Sequence, residues 1–142
     1  MTRTATLNRI LTGLDRDAAD YRRLEELLVA QFDAAMRHRA DETEAIVERI
    51  LALTVVLEAR RAERVALAGE LLAGRASQVS LQAVSVRLSA APRAAFDDRC
   101  ARVEALVQEC KRLNTRNCHL ITSQQDVMRR VLNTEQHTYA PA

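Results

Sequence analysis

From Leu7 onward an apolar or aromatic residue returns every seventh position: Leu7, Leu14, Tyr21, Leu28 and Ala35. Ile10, Leu11, Leu24, Leu27, Phe32 and Met36 fill the neighbouring places, while Asp15, Arg16, Asp20, Arg22, Arg23, Glu25 and Glu26 fall mostly off the stripe. A seven-residue repeat held over several turns predicts a packed helix of coiled-coil type, from about 4 to 38. At about 1.5 Å per residue it is roughly 50 Å long. A polar break at Arg37–Glu44 follows, in which Asp41 reads as an N-cap and Glu44 as its capping-box partner. A second stripe of Ile46, Ile50, Leu53, Leu57, Leu67 and Leu71 predicts a helix over about 42–73, closed by Gly74 as a C-cap. The charged run Glu58–Arg64 crosses this stripe and reads as a solvated face whose arginine stems cover the next helix.

Residues 74–92 form a linker rich in Ser and Ala. Val79, Leu81, Val84 and Leu88 have the spacing of one short amphipathic helix, capped by Ser77 or Ser80. Pro92 suits the first turn of the next element, where its missing N–H costs nothing. A third helix is expected over about 93–133. Its central line is Val103, Cys110, Asn117, Gln124 and Val131. Leu106, Leu113, Leu120 and Val127 flank it on one side, and Val107, Asn114, Ile121 and Met128 on the other. Three such lines make a face wider than a two-helix seam needs. Residues 134–142 have no period and are expected to be a flexible tail. The expected fold is therefore all-α: one domain over residues 1–142, an elongated antiparallel three-helix bundle with a short extra helix before the third long one.

Composition narrows the picture. Only Tyr21, Phe32, Phe96 and Tyr139 are aromatic, and three Gly and two Pro leave few obligatory turns. Both facts favour long helices packed through aliphatic side chains. Lys+Arg is 21 against Asp+Glu 19, a net charge of +2, too even for a nucleic-acid partner. No apolar run approaches the roughly 18 residues of a membrane span, so no stable membrane insertion is expected. MTRTATLNRIL lacks the apolar stretch of a signal peptide. Three cysteines in one helical segment argue against a disulfide framework and for a reducing compartment.

The candidate chemistry is concentrated in Leu113–Ile121, LNTRNCHLI. Cys110, Asn114 and Cys118 lie on one side of a helix. Two thiolates about 12 Å apart along the axis cannot close a tetrahedral metal site. His119 points about 100° away from Cys118, so the two do not form a nucleophile–base pair. No phosphate-binding loop or nucleophile elbow occurs. Neither an enzyme nor a cofactor is expected. The amides of Asn114, Asn117 and Gln124 have two readings: a polar layer that sets register inside the bundle, or a face that hydrogen-bonds a bound peptide.

These residues carry a family resemblance. The chain resembles the FlgN family of flagellar type III export chaperones. The match lies in the third-helix signature Leu113, Asn114, Asn117, Leu120 and Ile121, in EARR at Glu58–Arg61 ahead of Gly69 and Gly74, and in Tyr139-Ala140-Pro141. Family members usually carry glycine where this chain has Cys118 and Ala140. The resemblance implies a cytoplasmic chaperone without cofactor. It would bind C-terminal coiled-coil segments of secreted hook–filament junction proteins, prevent their premature assembly, and deliver them to the export gate and its ATPase complex. The implied client strip is Leu113, Asn114, Asn117, Leu120, Ile121, Gln124, Val127, Met128 and Val131, and the implied gate-docking residue is Tyr139. A homodimer is compatible with the stripes. The rival readings are a helical coiled-coil scaffold and a regulator-binding adaptor without a secreted client.

Overall fold

The computed structural model describes residues 2–75 and 78–139, the side chains of 135–139 excepted. It is all-α among the described residues, with four helices in the order α1 (Arg3–Met36), α2 (Ala40–Leu72), α3 (Leu81–Ser85) and α4 (Ala90–Tyr139). Thr2 caps α1, its hydroxyl accepting from the Ala5 N–H at 3.1 Å. The long helices run up, down and up. Arg9 pairs with Glu63 and Arg60 with Asp20, so α2 is antiparallel to α1. Asp15 pairs with Arg99 and Leu28 meets Asn117, so α4 is parallel to α1.

The turn from α1 to α2 is tighter than the expected polar break. The Arg39 N–H donates to Ala34 O at 3.0 Å and the His38 N–H to Ala35 O at 3.1 Å. Together these are the two bonds of a Schellman stop, with His38 in the left-handed place that glycine usually takes. Arg39 then becomes the N-cap of α2 without a side-chain bond, and Asp41 falls inside the first turn. The expected Asp41–Glu44 capping box is therefore not formed. Asp41 and Glu42 instead place negative charge beside the positive helix start. At the other end Ala73, not Gly74, is the C-cap, at φ 47°, and Gly74 follows at φ 76°.

α3 forms where its spacing predicted. The Ser80 hydroxyl accepts from the Ala83 N–H at 3.0 Å. The alternative cap, Ser77, lies outside the described residues. Val84 is buried, and Arg93 donates to the carbonyls of Ser85, Val86 and Leu88 just after the short helix. α4 starts at Ala90, so Pro92 sits in its first turn. The helix continues to Tyr139, beyond the boundary near 133 that the periodicity suggested.

α1 is the middle helix. It packs along both α2 and α4, whereas among the described residues no Cα of α2 comes within 8 Å of one in α4. The main core brings together Ile10, Leu14 and Ala18 of α1, Leu67, Ala68 and Leu71 of α2, Val84 of α3, and Phe96 and Val103 of α4. Further along, Leu24, Leu28, Leu57, Cys110 and Leu113 form a second cluster. Beyond that, Leu27, Ala34 and Ile46 join α1 and α2 alone. The three-helix core thus thins toward the α1–α2 turn, while α4 continues past it.

Candidate functional site

The line Cys110, Asn117, Gln124 lies along α1 in a fixed register. The Cys110 thiol donates to Tyr21 O at 3.4 Å, Asn117 Nδ2 to Leu28 O at 2.7 Å, and Gln124 Nε2 to Ala35 O at 2.8 Å. Each contact is one heptad from the last on both helices. An α-helical carbonyl has a second lone pair, so α1 can accept these bonds without losing its own. Asn117 is 1% exposed and has a partner for every bonding direction in use: its Nδ2 also donates to Gln31 Oε1 at 2.8 Å, and its Oδ1 accepts from Arg116. The Arg116 guanidinium in turn lies 3.8 Å above the Phe32 ring, a cation–π contact. Of the two readings open at Asn117 and Gln124, these contacts form the register layer.

The nine residues of the expected strip are therefore divided. Leu113 and Asn117 are buried against α1, and Gln124 is half-buried over its end. Leu120 and Ile121 are half-buried, and Asn114 is exposed. Val127, Met128 and Val131 are 58%, 59% and 52% exposed, and the neighbouring Leu132 is 60% exposed. The last four form one apolar patch at spacings of one, four and five residues, on the part of α4 that has outrun α1. A contiguous exposed apolar group of this kind is a candidate interaction surface. Where α1 ends, a cleft of about 420 Å³ opens between the α1–α2 turn and α4, lined by Ala35, His38, Ala40, Thr43, Ile121 and Gln124 among others.

Tyr139 is the last described residue of α4; its side chain and Ala140–Ala142 lie outside the described residues. Cys118 is exposed on α4, away from the α1 seam. Cys100 is half-buried and Cys110 is buried. Burial pushes both of these thiols up to about 11, Asp97 adding to it at Cys100 and Glu25 at Cys110.

A second polar cluster was not anticipated. Asp17 is 1% exposed and holds two arginines of α2: Arg60 Nη1 is 2.7 Å from its Oδ1 and Arg64 Nη1 is 2.5 Å from its Oδ2. Arg60 also reaches Asp20 at 2.8 Å. Burial alone would lower the Arg60 pKa; the hydrogen bonds and charges of Asp17 and Asp20 outweigh it and raise it. Within Glu58–Arg64, then, only Glu58, Arg61, Ala62 and Glu63 conform to the solvated face, together with Ala59. The signal was present in the spacing. Asp17 lies on the line Ile10, Leu14, Asp17, Leu24, Leu28, and Arg60 and Arg64 extend the line of Leu53 and Leu57. Opposite charges on two facing stripes must pair if they are buried.

A bundle of coiled-coil type, with its last helix prolonged as an uncovered apolar face, defines a small helical module with a candidate protein-binding end. Among the described residues no helix is long and apolar enough to cross a membrane. The family model described as "FlgN protein" matches residues 1–140. The chain belongs to the FlgN family of flagellar export chaperones. Comparisons with curated proteins and with solved structures returned no match.

Proposed function

We propose that this protein is a cytoplasmic, ATP-independent chaperone for hook–filament junction proteins, holding their C-terminal coiled-coil segments apart until export. The observation that carries this reading is the apolar patch of Val127, Met128, Val131 and Leu132 on a chain that belongs to the FlgN family. A client segment with an exposed heptad stripe would pair with its own kind. An apolar helix face covers such a stripe by the same i, i+3, i+4, i+7 contacts that join α1 to α4. The client strip then has two functional parts. Leu113, Asn117 and Gln124 hold α4 in register on α1. Val127, Met128 and Val131 meet the client, with Leu120, Ile121 and Asn114 at the border.

Binding through a few aliphatic side chains, at about 25 cal/mol per Å² of apolar surface covered, is strong enough to hold a client and weak enough to release it at the export gate. Tyr139, at the far end of α4, is the proposed contact for the gate. The test is co-expression with a hook–filament junction protein. Val127→Asp with Val131→Asp should abolish co-purification and leave the helical signal intact. Undiminished co-purification sinks the assignment. Tyr139→Ala should spare the client complex and lower secretion; loss of the complex instead would contradict the division of labour. Capture of a transcriptional regulator in place of a secreted protein would favour the adaptor reading.

A further inference from the structure

α4 keeps its heptad line after α1 has ended. Cys110, Asn117 and Gln124 lie against Tyr21, Leu28 and Ala35, a constant offset in sequence. Val131 is the next member of the line, and its counterpart on α1 would be one heptad beyond Ala35. No such counterpart exists, because the chain turns away at His38 and returns as α2. From 125 to 139 α4 extends about 22 Å past the bundle, the length of two heptads. The exposed Val127 and Val131 belong to the seam that is buried at Leu113 and Asn117. The cleft at Ala35, His38, Ala40, Thr43, Ile121 and Gln124 lies where the missing length of α1 would begin.

We infer that a client helix takes the place α1 vacates: it lies on α4 from about 125 to 139, parallel to α4, with its amino end seated in the cleft beside the α1–α2 turn. This deepens the chaperone reading above and rests on it. The occupant is an amphipathic helix with an apolar seam of about two heptads. The direction is that of α1, which runs parallel to α4 along the same seam. Residues 33–44 carry Asp33, Asp41, Glu42 and Glu44 against Arg37 and Arg39, so the turn is net negative and suits the positive amino end of a helix. A helix seated this way extends an existing seam instead of opening a new one. The turn acts as a stop that sets its register.

The experiment measures affinity for a co-expressed hook–filament junction protein by titration calorimetry. No binding by the unaltered chain would overturn the chaperone reading itself. Given binding, filling the cleft with Thr43→Trp or Ala40→Trp should weaken it roughly tenfold or more, while Val55→Trp on the outer face of α2 should not. Unchanged affinity in both cleft variants overturns the seat. Direction is read by disulfide trapping in a Cys118→Ser background carrying Val127→Cys. A cysteine near the amino end of the client helix should trap rapidly, and one at its carboxyl end should not. The reverse pattern overturns the parallel arrangement, and this readout stands even if a tryptophan variant misfolds.

Discussion

At φ 56° His38 occupies the left-handed region, where a Cβ crowds the backbone at a cost of about 1–2 kcal/mol. Glycine avoids the crowding but loses more freedom on folding. On balance His38→Gly should stabilise the chain by about 1 kcal/mol in urea unfolding, and Ala73→Gly, at φ 47°, should act the same way. Asp17 is the opposite case. Its removal leaves Arg60 and Arg64 facing each other with their main partner gone, so Asp17→Ala should cost about 3 kcal/mol. The buried thiols predict an alkaline effect. In the folded chain Cys100 and Cys110 keep their protons up to about 11, against 9.0 when free. The stability this gives is fully present below about 9 and falls as pH rises toward 11. Replacing both with Ala should flatten that decline in unfolding curves taken across the window.

Between α1 and α4 a polar ladder lies along an apolar seam, and its two functions separate by mutation. Asn117→Ala empties a filled, hydrogen-bonded site and leaves Leu28 O and Gln31 without their donor, so a loss of about 2 kcal/mol is expected. Asn117→Leu keeps the volume and removes the amide, so most stability should survive while the register loosens. Hydrogen exchange on α4 from 110 to 124 would show this as faster exchange at nearly unchanged melting temperature. Gln124→Ala, half-buried, should cost less than Asn117→Ala. The α1–α4 seam was legible in the sequence because α1 and α4 each repeat every seven residues. Which amide faced a carbonyl was not. The heptad line sets Asn117 and Gln124 apart from Asn114 on the flank, but only the placement of α4 along α1 brings them to Leu28 O and Ala35 O.

The whole molecule is a bundle with a separable end. Truncation after Gln124 removes only residues that the core clusters do not use, so it should change stability by less than about 0.5 kcal/mol and abolish client binding. Truncation before Asn117 would confuse the two effects, because Asn117 and Gln124 hold the bundle together. A stable truncated chain that still retained its client would relocate the binding surface to the bundle itself, where Leu51 and Val55 of α2 are also exposed.

The sequence by itself determined the helices, their number and the stripes they pack through. A seven-residue repeat, capping residues and scarce Gly and Pro are local properties of the chain. It also carried the family, through the spaced side chains of LNTRNCHLI. Tertiary structure alone decided where each helix outruns its neighbour. The Schellman stop at His38 ends α1 while α4 continues, and that difference in length leaves Val127, Met128 and Val131 uncovered although they obey the same period as buried Leu113. It also decided that Asp17, Arg60 and Arg64 are buried, because their pairing depends on two stripes meeting face to face. A period specifies the face of a helix, but burial depends on whether another helix reaches that far.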